Sequence, residues 1–293
     1  MALVAVITAV GLAGCRQRPA TDSALESEKT TFTRIIPMAP NLVETVFALG
    51  AGDKVVAVTD FTIYPPEALD LPRIGGTFNA NLEKITRLQP DLVIIQGEHD
   101  QVARLCQARG IRLLRVRMDS IATIRNGIRQ IGAVLDRHEA ALQLVEEIDR
   151  DLAALAAGPG QPRRPVALVM GHTPGGLRGM TTFGPESFLT ELVELAGGRN
   201  VVAGDGSAYP PLSLEALAAR GPEVILEFRP AESLDDAQRA RLLADWSALP
   251  GVPAAASGRI RFITAPELLI PGPRVADIVR RLAAAIHDEA GLD

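Results

Sequence analysis

NLEKITRLQPDLVIIQ, Asn81 to Gln96, recurs later in the chain as SLEALAARGPEVILEF, Ser213 to Phe228. Both copies open on a residue suited to an N-cap and continue with Leu-Glu and an amphipathic stretch. Each then turns at a Pro followed by an acid and enters a short apolar run. A helix delivering the chain through a tight turn into a buried strand is the building unit of a parallel α/β sheet. Two copies predict two α/β lobes. Arg34 onward shows the same alternation: the strand RIIPMA, the helix NLVETVFALGAG with Asn41 as cap and Gly50 and Gly52 at its end, the strand KVVAVTD, and the strand IRLLRVRM at 111–118. After the Gly/Pro-rich break AGPGQPRRP at 157–165 the plan resumes. PVALVMG, EVILEF and IRFITA read as strands, SFLTELVELAGG and PRVADIVRRLAAAIHDE as helices.

Between the halves, residues 120–158 contain no Pro. With Asp136 as N-cap, Ala141, Leu144, Val145, Ile148, Leu152 and Leu155 fall on one helical face, and Glu146, Glu147, Asp149, Arg150 and Asp151 on the others. The pattern predicts one connecting helix over 137–157, roughly 30 Å long at the α-helical rise. It bridges an N-terminal lobe at 34–136 and a C-terminal lobe at 158–293. Lobes on a stiff helix close only slightly on what they bind.

The chain has 293 residues, 47% of them hydrophobic, with 30 Lys and Arg against 35 Asp and Glu, a net charge of −5. Two cores can be filled, and no basic stripe interleaved with aromatics marks a nucleic-acid surface. Residues 1–15, MALVAVITAVGLAGC, read as a short apolar signal segment ending on Leu-Ala-Gly-Cys, although no Lys or Arg precedes the run. That ending resembles the bacterial lipobox, which makes Cys15 the lipidated residue and lipid the only membrane attachment. Residues 16–33 are polar and aperiodic, a tether. The second cysteine, Cys106, reads as a small buried residue, and no Cys cluster can hold zinc.

Three stretches, RIIPMAPNLVETVFALGAGDKVVAVTDF, YPPEALDLPRIGGTFNANLEKITRLQPDLVI and ELAGGRNVVAGDGSAYPPLSLEALAARGPEVIL, resemble the substrate-binding proteins of ABC importers built on a single backbone helix. The resemblance is closest to the cobalamin (vitamin B12) binders, with haem and ferric-siderophore binders as near relatives, and covers about residues 34–289. It implies two Rossmann-like lobes with a ligand cleft between them, a monomeric carrier in the periplasm or at the cell surface, and an ABC permease dimer as partner. The ligand it implies is cobalamin or another metal chelate, and no resident cofactor. The family docks one surface Glu per lobe into permease arginines, and by motif these fall on Glu83 and Glu215. In the first turns of their helices, both also complement the helix dipole.

The loops entering those helices are where a ligand sits in open α/β folds. They hold much of a small aromatic supply of eight Phe, two Tyr and one Trp: Phe61, Tyr64, Phe78, Phe183 and Tyr209. In the cobalamin binders, aromatic residues matching Phe61 and Tyr209 flank the corrin; a third, a Trp, matches Thr77. Haem needs an axial ligand, and His172 in MGHTPGG is the candidate, with His99 also within reach of the cleft; the four scattered His are a poor fit to a bare manganese or zinc ion. Arg229, or Arg178, beside Tyr209 suits a siderophore. No G-x-S-x-G elbow, phosphate loop or H-E-x-x-H occurs, so the sequence points to a binding protein and not an enzyme. A surface scaffold lipoprotein is the reading from another class.

Overall fold

The computed structural model describes residues 31–76, 79–156, 162–202, 206–207 and 209–287. The apolar segment with Cys15 and nearly all of the tether lie outside them.

The first lobe begins with β1 (Ile35–Pro37) and α1 (Pro40–Ala48), then α2 (Leu82–Leu88), β2 (Leu92–Gln96), α3 (Asp100–Arg109), β3 (Arg112–Val116) and α4 (Ile121–Val134). Its strands form a parallel sheet in the order β1-β2-β3. KVVAVTD does not form the expected strand. Val56 N–H bonds to Ile35 O while Val58 N–H bonds to Pro72 O, so the segment divides its amides between two partners and makes only single bridges. Nor does Asn41 cap α1. Pro40, whose missing N–H costs nothing in a first turn, starts the helix after Ala39, and the Asn41 amide reaches Gln96 Oε1 at 2.7 Å and Pro271 O at 3.0 Å.

α5 (His138–Leu155) is the connecting helix. Asp136, expected to cap it, instead takes a left-handed φ of +56° in the turn from α4, and Arg137 N–H closes back on Gly132 O at 2.7 Å. The helix is therefore 18 residues long, about 27 Å.

The second lobe contains β4 (Arg164–Met170), β5 (Thr181–Thr182), α6 (Phe188–Leu195), β6 (Gly198–Asn200), α7 (Leu214–Arg220), β7 (Val224–Phe228), α8 (Asp236–Ser247), α9 (Pro253–Ser257), β8 (Ile260–Ile263) and α10 (Val275–His287). β4, β7 and β8 run parallel. The free edge of β4 is shared by β6, parallel, and β5, antiparallel.

The repeat holds in three dimensions. Asn81 accepts from Lys84 N–H and Ser213 from Ala216 N–H, capping α2 and α7, and both helices end on a left-handed residue, Gln89 or Gly221, before β2 and β7. Strand alternation then distributes the core. Leu92 and Ile94, with Val224, Leu226 and Phe228, enter one continuous apolar cluster that passes through Ala141, Val145, Ile148 and Leu152 of α5 into both lobes. Val93 and Ile95 face a separate layer under α2 and α3, and Ile225 faces another under α7, α8 and α9. α5 is thus part of the shared core and not an exposed strut.

Candidate functional site

Two of the expected aromatic faces are open to solvent. Phe61 is 64% exposed in the first lobe and Tyr209 60% exposed in the second. Arg73 secures the loop that carries Phe61 and Tyr64, donating from Nη1 to Thr59 O at 2.9 Å and Thr62 O at 2.8 Å. Gly76 packs close by, where a Cβ would come within 2.5 Å of Asn79 Oδ1 and 3.2 Å of the Phe61 ring. Tyr209 is fixed from the other side of its backbone: Thr182 N–H bonds to Pro210 O, and Leu212 N–H to Met180 O. Phe183 is 2% exposed, so it presents no face of its own. Its ring instead supports Tyr209 edge-on at 5.7 Å and rests on Phe228 at 5.1 Å. Thr77 and Phe78 lie outside the described residues.

Tyr64 is partly exposed, and the Arg274 guanidinium sits 4.3 Å above its ring. Arg274, just before α10, also forms a two-bond pair with Glu44 of α1, at 2.6 and 3.0 Å. With the Asn41–Pro271 bond, this pair seams the two lobes. Glu44 is buried. Burial pushes its carboxyl above the usual carboxylate range, and the hydrogen bonds and charge of Arg274 pull it only part of the way back. Beside the seam, Phe47, Tyr64, Pro65, Leu71 and Pro273 line a groove of about 750 Å³. On another flank Ile121 N–H donates to Glu191 Oε2 at 2.8 Å, a second contact between the lobes.

Arg229 and His172 are not offered to a ligand. β4 and β7 end side by side, and beyond them Arg229 donates from Nη1 to His172 O at 2.9 Å and to Glu227 Oε1 at 2.5 Å, and from Nε to Glu232 at 2.9 Å. Gly171 makes room for it, since a Cβ there would lie 2.8 Å from Nη1. The His172 ring is wholly covered. Its Nε2 is 3.2 Å from Asp245 Oδ2, and its Nδ1 is 3.0 Å from Glu227 Oε1, at an angle too oblique for a good hydrogen bond. Axial ligation of a metal by His172 is therefore corrected: the ring has no open side. His99, also mostly buried, places Nε2 2.8 Å from Gln96 O.

Sequence reasoning missed Glu227, Asp245 and the single Trp, Trp246, whose Nε1 donates to Glu227 Oε2 at 2.6 Å. One signal was available: an acid in the apolar strand VILEF must meet donors if it is buried. Burial opposes its charge, yet donors from His172, Trp246 and Arg229 hold the Glu227 carboxyl below the ordinary value. Among the described residues no group of three or more His, Cys, Asp or Glu is arranged to hold a metal ion, and no helix is long and apolar enough to cross a membrane.

Glu83 and Glu215 stand as the repeat implies, both exposed in the first turns of α2 and α7. Glu83 pairs with Arg87 at 3.0 Å along its own helix, with both side chains mostly in solvent.

The periplasmic binding protein family matches residues 35–267. A cobalamin-binding protein of Halobacterium salinarum is 29% identical over 262 residues, covering 87% of this chain and 69% of the relative. A vitamin B12-binding protein of Vibrio parahaemolyticus is 26% identical over 267 residues, covering 90% and 93%. The crystal structure of a periplasmic haem-binding protein from Pseudomonas aeruginosa superposes with a TM-score of 0.75 at 27% identity, covering 89% of this chain and 94% of that one. With two α/β lobes on one helix and an open aromatic face on each, the chain belongs to the periplasmic binding protein family, whose fold binds for transport and is not an enzyme.

Proposed function

We propose that this protein captures cobalamin or a related corrinoid outside the cytoplasm and delivers it to an ABC permease. The observation that carries the reading is the pair of open aromatic faces, Phe61 and Tyr209, one on each lobe, in a chain with few aromatic residues. Flat π-faces suit a large planar macrocycle, whereas a small anion would call for convergent free Arg side chains, and Arg229 is already engaged. The names of the two curated relatives support the same choice. In this reading the carrier is a monomer, held to the membrane by a lipid on Cys15. Cys15→Ser should abolish incorporation of labelled fatty acid; label retained by that variant would move the lipid to another residue, and no label on the wild type would remove the anchor.

Calorimetric titration with cobalamin tests the ligand, and Tyr209→Ala should weaken binding at least several-fold if stacking contributes about 0.5–1.5 kcal/mol beyond area burial. Unchanged affinity in that variant, or no response at all, would turn the assignment to haem or a ferric siderophore. The exposed phenols of Tyr64 and Tyr209 favour that second reading, since a Tyr oxygen can ligate ferric iron. All three ligands are coloured, so one spectroscopic panel separates them.

A further inference from the structure

The charges gathered at the ends of β4 and β7 favour one protonation state of the histidine they enclose. A neutral imidazole has one N–H and one lone pair. Here both ring nitrogens of His172 face carboxylate oxygens, Asp245 Oδ2 at 3.2 Å and Glu227 Oε1 at 3.0 Å. Either neutral tautomer would leave a lone pair close to a carboxylate oxygen, whereas an imidazolium hydrogen-bonds to Asp245 through Nε2 and lies against the Glu227 carboxylate as an ion pair at 3.0 Å.

The groups facing the ring are Glu227 on β7 and Asp245 and Trp246 on α8, with Arg229 and, through it, Glu232 beyond. Three carboxylates then stand against two cations if His172 is charged, and against one if it is not. Burial works against the imidazolium, but the two carboxylates outweigh it and raise the ring above its ordinary value of about 6.5.

This cluster secures the start of a loop. His172 N–H donates to Glu227 Oε1 at 3.2 Å, its carbonyl accepts from Arg229, and Gly175 N–H donates to the same Asp245 Oδ2 that meets the ring, at 2.9 Å. The loop runs on to Met180 and β5, whose amide bonding holds the Tyr209 segment. We propose that His172 is the positioning residue of this wall: as an imidazolium it clamps the root of the 171–179 loop, and discharging it at alkaline pH loosens the clamp, shifts Tyr209 and weakens ligand binding. The last step rests on the cobalamin reading; the clamp itself does not.

The experiment follows the full-length protein from about pH 6 to about pH 10, the alkaline side of ordinary imidazole titration. The single Trp246 reports on the ring, edge-on at 5.7 Å between centroids. Protonated imidazole quenches indole emission, so fluorescence should rise in one step centred above the ordinary imidazole value, and His172→Gln should show no step. In the same window the hydrogen-exchange protection of the Gly175 amide, corrected for the intrinsic rate, should fall at least tenfold without any ligand. Cobalamin affinity should fall several-fold across the step in the wild type and stay flat in His172→Gln. If that variant does not fold, Asp245→Asn, which removes one facing carboxylate, should move the fluorescence step to lower pH. A missing step, a step at or below the ordinary value, or unchanged Gly175 protection would overturn the clamp. Flat cobalamin affinity across a clear step would overturn the link to binding, whereas no cobalamin binding at any pH would overturn the ligand assignment and leave the clamp supported by protection alone.

Discussion

At the scale of single residues the molecule depends on two buried carboxylates with different fates. Glu227 is surrounded by donors and stays ionised. Glu44 has one cation, Arg274, and burial keeps its carboxyl raised even with that cation in place. Arg274→Met should therefore strand Glu44 as an unpaired buried charge and destabilise the protein by about 3–5 kcal/mol near neutral pH. The sign of the pH dependence follows from the raised value. A carboxyl whose folded pKa lies above its unfolded one costs stability when ionised, so part of the loss should return as pH falls through that folded value toward the ordinary one. Urea unfolding at neutral and mildly acidic pH checks this; an equal loss at both would assign the cost to lost packing on Tyr64. Neither pairing was legible in the sequence for a plain reason. Glu44 and Arg274 are 230 positions apart, and His172 and Asp245 are 73 apart. Local pattern marks VILEF as a buried strand bearing an acid, but cannot say which distant donors satisfy it.

The elements were more legible, because caps and apolar periodicity are local. Asn81 and Ser213 cap their helices, and β2, β3, β4, β7 and β8 form where aliphatic runs follow turns. The misses fall where tertiary partners overrule local preference, as in KVVAVTD, split between β1 and Pro72, and Asn41, drawn to Pro271. The junction of α4 and α5 is a further case. Gly132, a poor helix former inside α4, is the point at which the two helices meet, where a Cβ would collide with the Ala141 methyl and lie 3.1 Å from Arg137 O. Gly132→Ala would add helix propensity worth up to about 1 kcal/mol, but overpacking at such a contact costs about 1–3 kcal/mol. The collision should win, because Arg137 N–H also bonds back to Gly132 O and leaves the turn little freedom to open. Thermal unfolding should show a lowered midpoint; a raised one would mean that the turn relaxes without strain.

For the whole molecule, the repeat gives two lobes that share one core through α5 and a second seam through Glu44 and Arg274, so the spacing between α2 and α7 is held rigid. A rigid spacing matters if both helix starts are read at once. Glu83 and Glu215 are exposed at those starts, and among the described residues they contribute a helix-end interaction and, for Glu83, a solvent-exposed pair with Arg87. Such interactions are worth well under about 1 kcal/mol, so Glu83→Ala and Glu215→Ala should change the melting temperature little. Ligand affinity should be unchanged in both, since neither residue belongs to the aromatic faces. If a permease with two equivalent subunits binds both carboxylates, truncating either should leave a partner arginine desolvated and unpaired, a cost of about 2–5 kcal/mol. Each single variant should then lower transport by the reconstituted permease, and the double variant should nearly abolish it while cobalamin titration of the same preparation stays normal. Undiminished transport by the double variant would reduce both residues to charges that offset a helix dipole.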